Sequence, residues 1–101
     1  MANSTRADFI PTGTTVVIND PTNIVAFGTD TTASLDQLMD DIRGQDHDAI
    51  KELLSEGHLI PVKNGTHGRP IEFDPSENAY KVRVMGTNHP VWFIKEIVSA
   101  K

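Results

Sequence analysis

A pair of short helices, predicted over residues 34–57, is the feature that most limits what this chain can fold into. Apolar residues in the first helix recur at the i, i+3, i+4 and i+7 positions, so they share one face. Helices of this length are not stable alone in water. We therefore expect their apolar faces to pack on a sheet and to share one interior with it. The apolar face of the first helix consists of Leu35, Leu38, Met39 and Ile42.

Both helices carry capping residues at their ends. Ser34, or one of the threonines before it, can cap the first helix, and with Gln37 it resembles a capping box. Gly44 is predicted to provide a left-handed exit from this helix. The second helix is predicted to begin at Asp46 as its N-cap and to stop at Gly57.

Segments rich in β-branched residues flank the helices on both sides. Residues 13–18 and 24–27 are separated by a turn containing Pro21, so they are predicted to form a hairpin. This order of strands, helices and strands predicts an α+β domain. Further strands are predicted over residues 59–62, 69–73, 80–85 and 91–94, and a short strand or helical turn over residues 96–100.

The strand predicted over residues 80–85 alternates as a half-buried antiparallel strand does. Pro70 lacks an N–H donor, so we expect it at a sheet edge or at the first ladder position of its strand. On the following strand Trp92 and Phe93 point to opposite faces, so one of them is expected to be semi-exposed. In the alternating strand the residues of one face are Tyr80, Val82 and Val84, and those of the other are Lys81, Arg83 and Met85.

Four motifs spread over residues 59–98 carry a family resemblance. They are Asn64-Gly65-Thr66 at the start of a strand, residues 80–84 followed by Gly86, residues 91–94, and the closing pair Ile97-Val98. In this order they resemble a bacterial SH3-like small β-barrel domain. The resemblance implies five short strands curled into a barrel, with loops at one end that bind peptides or other ligands. The chain departs from this pattern at Pro90-Val91, where a glycine usually precedes the tryptophan, and in the helices that occupy the first long loop.

These observations predict one folded domain over residues 9–101, preceded by a disordered leader over residues 1–8. The length of 101 residues fits a single domain. The predicted fold is a small SH3-like antiparallel β-barrel of the α+β class with an inserted helical hairpin.

Composition excludes several classes of function. The chain has no cysteine, which excludes disulfides, zinc-thiolate sites and thiol catalysis. Its 14 acidic and 9 basic residues give a net charge of −5, which disfavours a nucleic-acid partner. No apolar run is long enough for a membrane span and no secretory signal is present, so a cytoplasmic protein is expected.

The four histidines are the side chains that could support a small metal-dependent or histidine-using enzyme. His58, His67 and His89 could meet Glu72 or Asp74 in converging loops, but their spacing matches no metal-binding motif. Asp36, Asp40 and Asp41 are expected on the solvated face of the first helix rather than in a catalytic pair. We therefore expect no catalytic residue, no metal and no cofactor. The fourth histidine is His47.

The function predicted from these residues is a non-catalytic module that binds a protein or peptide. The turns over residues 64–69 and 86–92 are the expected surface, and a homodimer through the edge strand near Phe73 is compatible with the same pattern. One alternative is the histidine-using enzyme, and another is an acidic inhibitor that mimics nucleic acid. The candidate partner-binding residues are Trp92, Arg83, Tyr80, Arg69, His67 and His89.

Overall fold

The computed structural model describes residues 10–11 and 13–100, so the leader predicted over residues 1–8 lies outside the described residues. Both predicted helices are present. Two strands precede them along the described chain and five follow them. The elements are β1 (Val16–Ile18), β2 (Val25–Thr29), α1 (Thr32–Arg43), α2 (His47–Ser55), β3 (Leu59–Lys63), β4 (Thr66–Asp74), β5 (Ala79–Val84), β6 (Val91–Ile94), a 3₁₀ turn (Lys95–Ile97) and β7 (Val98–Ala100).

The strands form one antiparallel sheet in the order β3-β2-β6-β5-β4-β1-β7. The predicted barrel is wrong, because the sheet is open and its two outer strands do not pair with each other. Features of both outer strands oppose closure. Pro61 in β3 offers no N–H to a further strand, and β7 is only three residues long.

The predicted hairpin of β1 and β2 is also wrong. β1 pairs with β4 and β7, whereas β2 pairs with β3 and β6, so the two strands lie in different halves of the sheet. The loop between them is held by the β3–β4 turn instead. Asn64 accepts a hydrogen bond from the backbone N–H of Asp20 at 2.9 Å and donates one to the carbonyl of Asn23 at 2.8 Å.

Two hydrophobic clusters lie on opposite faces of the sheet, so the single shared interior expected from the sequence is wrong. Trp92 and Phe93 are neighbours on β6 and belong to different clusters, because successive side chains on a strand point to opposite faces. Both are buried, with 7% and 0% of their surfaces exposed. The expectation that one of them is semi-exposed is therefore wrong.

The two clusters draw on different elements. The first cluster is built from strands and the 3₁₀ turn, whereas the second joins the helices to β3, β5 and β6. The first contains Val16, Ile18, Ala26, Val62, Tyr80, Val82, Val84, Val91, Phe93, Ile97 and Val98. The second contains Leu35, Leu38, Leu53, Leu59, Ala79 and Trp92.

Three of the four predicted helix-end features are confirmed. Thr31 caps α1 by accepting a hydrogen bond from the backbone N–H of Ser34, and Asp46 caps α2. Gly57 follows α2 with a φ of 82°, which glycine adopts without strain. Gly44 was predicted wrongly as the left-handed residue, because its φ is −83° and the positive φ of 55° belongs to the next residue, Gln45.

In the last turn of α1, the buried residue is not the one that the apolar pattern predicts. Leu35 and Leu38 are buried as expected, but Ile42 is 49% exposed and Asp41 is only 6% exposed. The prediction that Asp41 is solvated is wrong. The carbonyl of Asp41 accepts a hydrogen bond from the N–H of Asp46 at 2.8 Å, so the chain folds back over this residue as α2 begins.

Pro70 lies inside β4 rather than at its edge or first position. Its partner on β5 is Val82, and the register shifts between Pro70 and Glu72. The carbonyl of Pro70 accepts a hydrogen bond from the N–H of Gly13 at 3.0 Å. Because the N and C=O of a strand residue face the same side, the missing N–H of Pro70 costs no hydrogen bond to β5.

Candidate functional site

An open groove of about 540 Å³ lies where β4 begins and β5 ends. Its walls come from β4, from β5 and from the turn that follows β5, with one contribution from the segment before β1. The side chains that define its chemistry are Thr15, His67, Arg69, Arg83, Met85 and Thr87.

Strand alternation places the basic side chains of this groove. Gly68 pairs with Val84 on the face of the first hydrophobic cluster, so His67 and Arg69 point to the other face. A Cβ at Gly68 would lie 2.7 Å from a methyl group of Val82, so only glycine allows this close approach. The groove therefore lies on the sheet face that is opposite to the first cluster.

Hydrogen bonds hold the turn that forms the other wall. The N–H of Met85 donates to the carbonyl of His67 at 3.2 Å. The hydroxyl of Thr87 lies 2.9 and 3.1 Å from the carbonyls of Val84 and His89, and its single proton is donated to one of them at a time. These bonds join the turn to β4 and β5.

Arg69 and Arg83 are directly opposite each other in the β4–β5 ladder. Both side chains are exposed, and neither forms an ion pair with any carboxylate of residues 10–11 and 13–100. Like charges at directly opposed positions destabilise a sheet. No acidic side chain lines the groove to offset that repulsion, so the groove carries positive charge that its own residues do not neutralise.

Met85 adds an apolar surface to the same groove. Its side chain is 73% exposed, the second highest value among the large exposed hydrophobic residues of the described chain. The flexible thioether adapts to differently shaped apolar partners. The groove therefore combines two cationic forks with one adaptable apolar contact.

Three of the six predicted binding residues meet in the groove, namely His67, Arg69 and Arg83. His89 is exposed in the β5–β6 loop and does not line the groove. Its carbonyl lies within hydrogen-bond distance of the hydroxyl of Thr87, which does line the groove. The aromatic pair is elsewhere. Tyr80 is 1% exposed in the first cluster, where its hydroxyl accepts a hydrogen bond from the N–H of Ile10 at 2.9 Å.

Trp92 is covered by the second cluster, and the Nζ atom of Lys81 lies 6.0 Å from the centre of its ring. Neither aromatic residue contributes to the groove surface, because each has hydrophobic neighbours from more than one element. Met85 was not among the predicted binding residues, whereas Thr87 lies in the turn over residues 86–92 that was expected to form the surface. The alternation of residues 80–85 had already placed Met85 on the same face as Arg83, so this residue could have been found from the sequence.

The histidines lie in separate places. His67 is in the groove, His89 is in a loop, and His47 begins α2. His58 has its Nδ1 atom 2.8 Å from a carboxylate oxygen of Asp30. Across the part of the chain that the structure describes, no three histidine, aspartate or glutamate side chains are grouped as metal ligands would be.

A second depression of about 380 Å³ separates α1 from the β4–β5 turn. Here the hydrogen bond with Asp36 raises the pKa of Glu77, and desolvation and the charge of Asp36 act in the same direction. Two neighbouring carboxyl groups thus share a site that also has Arg43 on its rim. Glu96 lines the same depression, and Arg43 pairs with Asp40 outside it, so the depression carries negative charge where the groove carries positive charge.

Neither described helix has the length and apolar character that crossing a bilayer requires. In comparisons with known proteins, the chain matches no family model, no curated protein and no solved structure.

Proposed function

We propose that this chain is a non-catalytic interaction module that binds a protein or peptide in the groove where β4 begins and β5 ends. One observation carries the proposal. Arg69 and Arg83 face each other without a carboxylate partner in the described chain, and the exposed side chain of Met85 lies beside them.

Arginine and methionine are both enriched at protein interfaces relative to the rest of the surface. An arginine fork can bind a carboxylate through two parallel hydrogen bonds, and a methionine side chain can bury apolar area at the same time. A partner that covers this groove would relieve the repulsion between the arginines and remove apolar surface from water. Both effects favour a complex.

The net charge of −5 argues against nucleic acid as the occupant, because a phosphate backbone would be repelled by most of the protein surface. No arrangement of described residues favours the histidine-using enzyme over the binding module. The cytoplasmic location expected from the sequence is part of this proposal, and fractionation of host cells tests it. The homodimer predicted through an edge strand near Phe73 lacks that strand, because β4 lies between β5 and β1 and the outer strands are β3 and β7. Sedimentation at micromolar concentration tests self-association itself.

Site-specific photo-crosslinking in the native host tests the groove. A photoreactive phenylalanine analogue replaces Met85 in one variant and the exposed helix residue Lys51 in a control variant. We expect the first variant to capture a protein that the control does not. The purified complex should then weaken with Arg83→Ala but not with Lys51→Ala, which removes the same charge elsewhere.

Equal capture from both positions, or a complex that Arg83→Ala leaves unchanged, would show that the groove is not the binding surface. Circular dichroism of each variant confirms that the fold is intact. Trp92→Ala is unsuitable for this test, because Trp92 is buried under the helices and its loss would destabilise the fold itself.

A further inference from the structure

We propose that the segment that binds the groove is acidic, with two neighbouring carboxylates paired to Arg69 and Arg83 and an apolar side chain against Met85. This inference rests on the proposed function and specifies the chemistry of its partner.

Charge complementarity is the first step. The groove contains two guanidinium groups and no carboxylate among its lining residues. Elsewhere in the described chain, an exposed arginine with an acidic neighbour pairs with it, as Arg43 does with Asp40. Within residues 10–11 and 13–100 Arg69 and Arg83 form no such pair, so no carboxylate of these residues occupies their donors.

Spacing is the second step. Residues that are directly opposite on antiparallel strands have Cβ atoms about 5 Å apart, and the arginine side chains can spread beyond that distance. In an extended peptide, side chains two residues apart lie on the same face about 7 Å from each other. Carboxylates at such positions can therefore reach one arginine each. A segment with acidic residues at i and i+2 fits this geometry.

The number of ligand charges is the third step. The net charge of −5 repels an anionic ligand in proportion to the charge of that ligand. A peptide with two carboxylates meets much less long-range repulsion than a nucleic acid with a phosphate at every residue. The exposed Met85 side chain also favours a peptide, since a peptide can place an apolar side chain next to an acidic one.

The test uses the ¹⁵N-labelled full chain and NMR titration with three probes. The first is a ten-residue peptide with glutamate at positions i and i+2, leucine at i+4 and serine between them, so that the three side chains share one face of an extended chain. The second has glutamine in place of each glutamate. The third is a ten-nucleotide single-stranded DNA. We expect only the glutamate peptide to shift the amides of residues 66–69 and 83–87.

The double variant Arg69→Gln, Arg83→Gln should weaken binding of the glutamate peptide by about tenfold or more, because charge-assisted bidentate pairs are lost. The matched control combines Arg43→Gln with Lys51→Gln, which removes two positive charges outside the groove, and it should not weaken binding of this peptide. The dispersion of the amide spectrum shows whether each variant is folded.

Three outcomes would overturn the inference. The first is equal binding of the glutamine peptide, the second is stronger binding of the DNA at the same amides, and the third is unchanged affinity in the double variant. If the crosslink from position 85 still captures a partner in these cases, the proposed function stands and only the acidic character of the partner is wrong. If that crosslink also fails, both proposals are wrong.

Discussion

The Nδ1 atom of His58 lies 2.8 Å from a carboxylate oxygen of Asp30, and the backbone N–H of Asp30 donates to the carbonyl of His58 at 3.1 Å. Asp30 follows β2 just before the helices, and His58 follows them just before β3. The two residues therefore join the ends of the segment that contains α1 and α2. A side-chain ion pair and a backbone hydrogen bond act together at this point.

This pair predicts a dependence of stability on pH. The hydrogen bond from His58 to Asp30 raises the pKa of the imidazole above 6.5, and the negative charges of Asp30 and Glu56 add to this effect. Partial desolvation would raise the pKa of Asp30. Hydrogen bonds from His58 and Ser34 and the charge of His58 outweigh it, so the pKa of Asp30 lies below 3.8.

The sign follows from both shifts. The contribution of His58 is complete below its unfolded pKa and is lost as the pH rises through its raised folded value. The contribution of Asp30 is complete above its unfolded pKa and is lost as the pH falls through its lowered folded value. The unmodified protein should therefore have a higher free energy of unfolding than His58→Gln. This difference should be largest at about pH 5 and smaller at about pH 9. Urea titrations at several pH values measure this, and His47→Gln serves as the control for replacing a histidine that does not contact Asp30.

Gly28 should not tolerate a side chain. A Cβ at this position in β2 would lie 2.7 Å from the ring of Phe93 and 2.8 Å from the carbonyl oxygen of Trp92. Gly28→Ala should lower the free energy of unfolding by about 1–3 kcal/mol, because the core must shift to admit the methyl group. At Gly44 the nearest such atom is 3.4 Å away and φ is −83°. Gly44→Ala should therefore raise the free energy of unfolding by about 0.4–1 kcal/mol. If Gly28→Ala and Gly44→Ala lowered it by similar amounts, the prediction would be wrong.

Asp41 is a buried carboxylate that should reduce the stability of the fold. Gln37 donates to its Oδ1 at 2.8 Å, but Oδ2 has no hydrogen-bond partner among the residues that the structure describes. Asp41→Ala should raise the free energy of unfolding by about 1 kcal/mol, because a buried unsatisfied acceptor is removed. Asp40→Ala is the control, since Asp40 is exposed on the same helix and both changes remove one charge and improve helix propensity. It also removes the exposed pair with Arg43, so it should raise stability less than Asp41→Ala does. An equal effect of the two substitutions would mean that the burial of Asp41 is not costly.

Trp92 should matter for stability rather than for direct contact with a partner. Because it is 7% exposed between the helices and the sheet, Trp92→Ala should cost about 3–5 kcal/mol in the free energy of unfolding. Ile24 is 92% exposed, so Ile24→Ala should change stability by no more than about 0.5 kcal/mol. Chemical denaturation followed by circular dichroism measures both. A small loss in Trp92→Ala would show that the helices contribute little to the fold.

The candidate site was predictable in part. The alternation of residues 80–85 placed Arg83 and Met85 on one face, because this pattern depends only on the period of a strand. The pairing of Arg83 with Arg69 could not be derived in the same way, since it depends on the register of two strands and on the bulge beside Pro70. The aromatic residues were misplaced because the sequence does not show which sheet face the helices cover.

The sequence by itself determined where helices and strands form and where the helices stop. The features that set these boundaries act over a few neighbouring residues, so they can be identified from the sequence. They are the caps Thr31 and Asp46, the glycine at position 57 and the spacing of apolar residues. Only the tertiary structure decided which strands pair, that the sheet stays open, and that the faces carrying Trp92 and Phe93 are both covered. These outcomes depend on the total free energy of contacts between segments that are distant in the chain. No local pattern encodes that sum.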